Sequence, residues 1–406
     1  MTCGLLGRKL GHSYSPQIHA QLGSYDYKLF EVEPENLESF LKSGSFDAIN
    51  VTTPYKKDVI PYLTYMSDTA KRIGSVNTIV RRADGLYGYN TDCYGFMYML
   101  KSTGVDVSGK KAIVLGSGGA SLTVIDVLRS FGAGEIVVIS RTGENNYQNI
   151  SHHYDAQIIV NATPVGMYPH NGERLIDLSC FKNCRCVLDI IYNPAMTALL
   201  LQAEELRIPH TNGLSMLVAQ AKRASELFCD ITLPDSLIPE ITCRLSAQMK
   251  NIILIGMPGC GKTAVGKQLA HDSDRSFFDA DEEFEVRFGI SPADFISKNG
   301  EAAFRKKEQE VLKELCKKSG CVISTGGGCV TVPENYPILH QNSIIVWLRR
   351  SLSLLPTEGR PLSKASSLED MYIARVSKYC TFCDVQVRNE DDINSAAHNI
   401  KRSLKL

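Results

Sequence analysis

The 406-residue chain has no surplus of charge of either sign: 44 lysines and arginines balance 44 aspartates and glutamates. Long-range attraction to nucleic acid or to an anionic membrane needs such a surplus. No partner of either kind is expected, and the positive charge that matters should be local to a site. Long apolar runs are missing too. The most apolar stretches, AIVL, IVVI and IILI, are strand-sized and far short of a membrane span. The N-terminal MTCGLLGRKLGHSYSP has no apolar stretch of signal-peptide length, so a soluble cytoplasmic chain is expected. The 13 cysteines follow no repeating frame. Cys180, Cys184 and Cys186 lack a second well-spaced pair, and Cys380 and Cys383 stand alone. Reduced thiols are therefore expected rather than a zinc site.

What is present is an alternation of short β-branched runs with longer amphipathic stretches, the pattern of α/β domains with parallel sheets. Two segments read as strand, glycine loop and helix: AIVLGSGGASLTVIDVLRS and IILIGMPGCGKTAVGKQLA. The loops differ in length and chemistry, which implies two separate nucleotide-binding units rather than a repeat. Residues 229–250, with two prolines and then a short helical stretch, put the main boundary near residue 248. The expected domains are 1–92, completed by about 207–247, then 93–206, then 248–406. In the first, YKLFEV and FDAINVTT are the expected strands.

The loop GSGGAS supplies Gly116, Ser117, Gly118, Gly119 and Ala120, with Ser121 where the dinucleotide fingerprint prefers glycine or alanine. Bare backbone there lets a pyrophosphate settle on the N-terminus of the following helix. The next strand ends in VVISRT. An acid at its end would bond the ribose hydroxyls of NAD; Ser140, Arg141 and Thr142 suit a 2′-phosphate instead, so NADPH/NADP is the expected cofactor.

Ahead of that loop lie Ser13 and Ser15 in GHSYSP, Thr52 and Lys56 in NVTTPYKK, Asn77 in GSVNT, and Asp92 in GYNTD. Each alone reads as a cap or a surface residue. Together with GSGGAS, SRT, NATPVGM and NGLSMLVAQA, in this order and approximate spacing, they resemble shikimate dehydrogenase over about residues 1–245. The resemblance implies an α/β substrate domain, a Rossmann dinucleotide-binding domain and reversible NADPH-dependent reduction of 3-dehydroshikimate to shikimate. It further implies that Ser13, Ser15, Thr52, Asn77 and Gln220 hold the substrate, and that Tyr192 lines its pocket. Ile190 and Gly213 would approach the nicotinamide, and Lys56 with Asp92 would form the catalytic pair. The chemistry makes sense of that pair, because hydride delivery to a ketone leaves an alkoxide that a positioned lysine can protonate. Pro164 and Ser215 depart from the family, which commonly has serine and glycine there.

GMPGCGKT satisfies the phosphate-loop pattern, with Gly256, Gly259, Cys260, Gly261, Lys262, Thr263 and Ala264. Backbone amides would cradle the phosphates of ATP, Lys262 would neutralise the terminal ones, and the Thr263 hydroxyl would ligate Mg²⁺. Downstream, Asp279 and Asp281 alternate and would project together from an extended segment. Arg305 falls on an expected helix, Gly326, Gly327 and Gly328 at a strand end, Arg360 in an expected lid, and Arg375 in ARVSKY. A solvated face explains any one of these arginines; the ordered set resembles shikimate kinase over about residues 250–400. That resemblance implies a P-loop, nucleoside-monophosphate-kinase-like three-layer α/β/α domain that phosphorylates the 3-hydroxyl of shikimate. Arg305 and Arg375, with Gly327, would hold the carboxylate, which a guanidinium fork fits. Asp281 would orient the attacking hydroxyl, Asp279 would help hold Mg²⁺, and Arg360 would cover the phosphates. The lid is shorter than in many relatives, and Pro356 stands where a further arginine is common.

The expected protein is thus a fused α/β enzyme catalysing two consecutive steps on small molecules, as a monomer or homodimer. One rival is a quinate/shikimate dehydrogenase of relaxed cofactor use fused to a kinase, against which Arg141 argues. The other is a pathway-sensing regulator without turnover. Against it, Lys56, Asp92, Lys262 and Asp281 are all present and no DNA-binding segment is left over.

Overall fold

The β-branched runs become strands and the glycine-led stretches become helices in the computed structural model, which describes residues 1–11, 13–355, 368–390 and 392–405. The first sheet contains β1 (Thr2–Gly7), β2 (Asp26–Glu31), β3 (Ala48–Val51), β4 (Tyr65–Met66), β5 (Thr78–Arg82) and β6 (Gly85–Tyr89). Their order is β2-β1-β3-β5-β6-β4. β2, β1 and β3 run parallel, whereas β5 is antiparallel to both β3 and β6. Leu6, Phe46, Ile49, Tyr55 and Ile79 fill one core beneath it.

The second sheet is wholly parallel, with β7 (Lys111–Leu115), β8 (Glu135–Ile139), β9 (Ile158–Asn161), β10 (Cys186–Asp189) and β11 (His210–Thr211) ordered β11-β10-β9-β7-β8. β7 has β8 on one side and β9 on the other, so the strand order reverses at its C-terminal end. That is where open α/β sheets bind ligands, and GSGGAS lies there. Helices Asp92–Ser102 and Leu214–Cys229 pack closely, since a side chain at Gly95 would run into the backbone oxygen of Met216.

The third sheet holds β12 (Asn251–Ile255), β13 (Phe277–Asp279), β14 (Val322–Ser324), β15 (Ser343–Arg349) and β16 (Val385–Arg388), all parallel and ordered β13-β14-β12-β15-β16. All five residues of β12 are buried. After Asn251 they form an unbroken apolar run, which a parallel strand covered on both faces needs. β12 lies between β14 and β15, and its C-terminal end feeds the phosphate loop.

The chain divides into two compact units. One comprises Met1–Gly166, Glu173–Tyr192 and Leu199–Arg244; the other comprises Met167–Gly172, Asn193–Ala198 and Leu245–Leu406. The division after Arg244 falls inside the helix Leu237–Met249. Among the described residues no helix is long and apolar enough to cross a membrane.

Candidate active sites

In the first unit the loop after β3 brings Lys56 to the start of the helix Asp92–Ser102, where its Nζ lies 2.6 Å from Asp92 Oδ2. Both side chains are only partly exposed, 27% and 16%. The pair is therefore open to a substrate while sheltered from full solvent screening. The Lys56 carbonyl accepts from Val76 N–H (2.8 Å), which ties the lysine beside Asn77. Asn77 is buried; its Nδ2 donates to Thr91 Oγ1 (3.0 Å), and its Oδ1 accepts from Thr91 N–H (2.7 Å). Thr91 Oγ1 in turn reaches Gln220 Oε1 at 3.4 Å. Asn77, Asp92 and Gln220 thus converge from a strand edge and two helices, with Thr91, which reads in the sequence as a surface or capping residue, as the link.

Ser13 Oγ accepts from Ser15 N–H (3.2 Å), and Tyr14 between them meets the Tyr192 ring edge-on at 6.2 Å. Tyr192 is largely buried, which raises its phenol pKa. Thr52 sits at the end of β3 with its amide on Leu6 O (2.9 Å). A buried polar chain continues behind these residues. Tyr27 OH donates to Asn50 Oδ1 (2.8 Å), Asn50 Nδ2 to Thr78 Oγ1 (3.2 Å), and Thr78 Oγ1 to Asn77 Oδ1 (3.2 Å).

His19 stacks on Tyr27 at 4.0 Å with its Nδ1 2.6 Å from Tyr25 OH. Complete burial pushes its pKa down from 6.5 to about 3, so the folded protein holds it neutral. The unfolded chain gains a proton near pH 6.5 that the folded one refuses. The stability this provides is present above about pH 6.5 and is lost as pH falls toward about 3. In calorimetry the transition that NADP⁺ raises should fall more steeply between these limits in the native protein than in His19→Phe. Parallel curves would refute the assignment.

At the end of β7, Gly116 has φ +103°, a region that favours glycine, and a side chain there would press on Thr163 and the Ala162 carbonyl. The helix Gly119–Ser130 begins at Gly118 without a side-chain cap, and nothing lies within 4 Å of where side chains at Gly118 and Gly119 would start. Its first amides, those of Gly119 and Ala120 next to Ser117, are left free of side-chain acceptors, as a pyrophosphate requires. Ser121 fits the fingerprint's third position because its hydroxyl turns back to Gly118 O at 2.6 Å. Beyond β8, Ser140 is half-buried, while Arg141 and Thr142 are exposed. Gly213 lies against Ile190: its amide donates to Ile191 O (2.9 Å), and a side chain on it would strike Ile190 O.

In the second unit a cavity of about 570 Å³ opens at the C-terminal ends of β12, β13 and β14. Gly259, Gly261, Lys262, Thr263 and Ala264 form one wall. Gly261, at φ +96°, turns the chain into the helix Lys262–Asp272, and Cys260 is buried beneath it. Lys262 Nζ lies over its own loop, donating to Gly256 O (3.0 Å) and Met257 O (3.2 Å). Thr263 Oγ1 donates to Asp279 Oδ2 (2.7 Å). This hydroxyl and carboxylate fit a phosphate-bound Mg²⁺, which takes few protein ligands. No cluster of three or more metal-binding side chains occurs among the described residues.

The opposite wall carries Asp281, Arg305, Gly327 and Arg375. Asp279 and Asp281 both line the cavity, but not from an extended segment. The helix Ala280–Phe288 begins between them, and Asp279 caps it by accepting from Asp281 N–H (3.0 Å). The Arg305 guanidinium fills the space beside Gly328 and is braced by Glu301 (2.9 Å) and Glu308 (2.7 Å). Arg375 donates to Gly327 O at 3.2 Å, and Tyr379 donates to the same oxygen at 2.5 Å. Glu308, one turn beyond Arg305, is a further cavity residue that the sequence did not single out. Burial raises its pKa, opposed by Arg305, and its Oε1 has no partner. Arg360 and Pro356 lie outside the described residues.

Comparison with known proteins follows the division into units. A model described as the shikimate dehydrogenase substrate binding domain matches residues 5–79, and one described as shikimate kinase matches residues 258–405. The shikimate dehydrogenase (NADP(+)) of Clostridium beijerinckii is 39% identical over 256 residues, which is 58% of this chain and 94% of that protein. A crystal structure of a chorismate mutase/shikimate 5-dehydrogenase fusion protein from Clostridium acetobutylicum aligns with TM-score 0.58 at 35% identity, covering 60% of this chain and 96% of its own. That of Thermus thermophilus shikimate 5-dehydrogenase in complex with NADP(H) and shikimate aligns with TM-score 0.55 at 29% identity, covering 60% and 99%.

Proposed function

The chain belongs to the shikimate dehydrogenase family and carries a shikimate kinase domain behind it, and from this premise we propose that it performs two consecutive reactions. The first is NADPH-dependent reduction of 3-dehydroshikimate to shikimate; the second is phosphorylation of shikimate by ATP to shikimate 3-phosphate. The observation that carries the proposal is the occurrence in one chain of the Lys56–Asp92 pair, at 2.6 Å, and of a cavity shared by a phosphate loop and two arginines.

Bound NADPH would supply the hydride. As the ketone carbon is reduced, Lys56 delivers a proton to the oxygen that becomes the hydroxyl, and Asp92 holds the ammonium on that oxygen. Ser13, Ser15, Thr52, Asn77 and Gln220 grip the carboxylate and the remaining hydroxyls, while Tyr192 closes one side. Gly213 and Ile190 offer the nicotinamide a flat backbone wall. Ser117, Gly118, Gly119 and Ala120 receive the pyrophosphate.

In the kinase unit Arg305 and Arg375 hold the shikimate carboxylate near Gly327. Asp281 orients the 3-hydroxyl and accepts its proton. Lys262 and the loop amides from Gly259 to Ala264 position the nucleotide phosphates, and Thr263 with Asp279 would hold Mg²⁺, whose charge offsets that of the phosphates. Arg360 is assigned to cover the transferring group.

The test follows NADPH oxidation on adding 3-dehydroshikimate, then adds ATP and looks for phosphorylated shikimate. Absence of either product would remove the corresponding half of the proposal. Arg141, with Ser140 and Thr142, is assigned to the 2′-phosphate. Arg141→Ala should cut the preference for NADPH over NADH by roughly ten- to a hundredfold, the worth of one charge-assisted hydrogen bond. The ratio of the two kcat/KM values measures it, and an unchanged ratio would clear Arg141 of the role.

A further inference from the structure

A second hollow of about 280 Å³ lies in the kinase unit and shares no lining residue with the larger cavity. Arg349, Arg350, Arg388 and Glu390 line it, with Met257 of the phosphate loop at one edge. β15 and β16 are parallel neighbours in the register Arg349 to Arg388. Residues level with each other on adjacent strands present their side chains to the same face, so two like charges stand side by side, an arrangement that costs stability unless something neutralises it.

Nothing described does so. No ion pair within 4.0 Å involves Arg349, Arg350 or Arg388 among the described residues. Arg349 lies over the Trp347 ring at 5.0 Å and donates to Gln386 Oε1 at 3.3 Å, which leaves its charge uncancelled. Arg350 Nε is buried and has no acceptor. The one carboxylate of the lining, Glu390, accepts instead from the Ser351 hydroxyl at 2.9 Å. Three guanidiniums, one with an orphaned donor, converge on a hollow just under the usual size range of ligand sites.

We propose that this hollow is a second anion site of the kinase unit and takes a phosphate group of a small molecule. Guanidinium forks match phosphate oxygens in pairs, and a phosphate would relieve the Arg349–Arg388 repulsion while giving Arg350 Nε an acceptor. Glu390 and Ser351 stand ready to bond a hydroxyl next to the phosphate. The nucleotide's own phosphates are assigned to Lys262 and the loop amides of the larger cavity, so the source is a free phosphorylated metabolite.

Calorimetric titration of the full chain tests the site, with inorganic pyrophosphate as probe after NADPH has filled the dinucleotide loop and shikimate, Mg²⁺ and the β,γ-imido analogue of ATP have filled the larger cavity. A free metabolite site predicts one further equivalent bound, with affinity reduced about tenfold or more in Arg388→Ala and Arg350→Gln. No further equivalent, with the tenfold loss falling on the ATP analogue instead, would make the hollow part of the nucleotide's own site and overturn the proposal. Arg388 is exposed, so its truncation leaves the fold intact even where Arg350→Gln does not. Affinities for both probes unchanged within about twofold in Arg388→Ala would overturn the proposal. Shikimate phosphorylation assayed on the same preparations keeps this outcome distinct from a failure of the kinase reading.

Discussion

Lys56→Met should lower kcat for NADPH oxidation by about 10²- to 10⁴-fold, the usual worth of a positioned general acid, and change the KM for 3-dehydroshikimate far less. Methionine keeps the unbranched stem, so the packing of the loop after β3 is retained while the ammonium is lost. Asp92 then faces the substrate without its 2.6 Å partner. The reduced ketone oxygen must take its proton from water, in a cleft where the lysine is only 27% exposed and water is correspondingly restricted. Asp92→Asn should have a smaller effect, because the amide still accepts a hydrogen bond and fails only to hold the charge. Kinase activity of the same preparation is the internal control. A kcat within about threefold of the native value would remove Lys56 from the acid role.

The second large effect belongs to Asp281→Asn, which should reduce phosphoryl transfer by about 10²- to 10⁴-fold and leave the affinity for ATP close to native. The residues proposed to hold the nucleotide, Lys262 and the Thr263–Asp279 pair (2.7 Å), are untouched by the change. Asparagine keeps the side-chain shape and the backbone amide bonded to Asp279, so the start of the helix Ala280–Phe288 is preserved. What is lost is the proposed proton acceptor for the 3-hydroxyl. Rapid-quench measurement of the chemical step, with nucleotide binding followed separately, distinguishes the two effects. A native chemical step would show that Asp281 does not accept that proton.

Much of this architecture could be read from the residues because the signals are local. An apolar run, a glycine loop and a helix follow one another at β7 and again at β12, and burial on both faces of a parallel sheet requires just such runs. The pairing of Lys56 with Asp92 is different, since the two are 36 positions apart. No local pattern brings them together, and only the resemblance to a family singled them out. Thr91 reads as a cap because it precedes a helix, whereas here its hydroxyl makes no capping bond and bridges Asn77 and Gln220. Glu308 escaped because helix charge patterns say nothing about burial. Its spacing from Arg305, one turn away, was the available clue. The Asp279–Asp281 geometry was misread for a definite reason: acid-rich turns start helices, and the capping role of Asp279 outweighed the alternation.

The chain has a single tryptophan, Trp347. It stacks on Tyr379 at 5.4 Å, and Tyr379 holds the carbonyl of Gly327 in the cavity wall. Indole emission therefore belongs to the kinase unit alone and lies two contacts from the assigned shikimate site. Stopped-flow mixing of 3-dehydroshikimate with the NADPH-loaded chain could then time two optical events separately: nicotinamide absorbance fading as shikimate is made, and a change in indole emission as that product reaches the phosphorylating half.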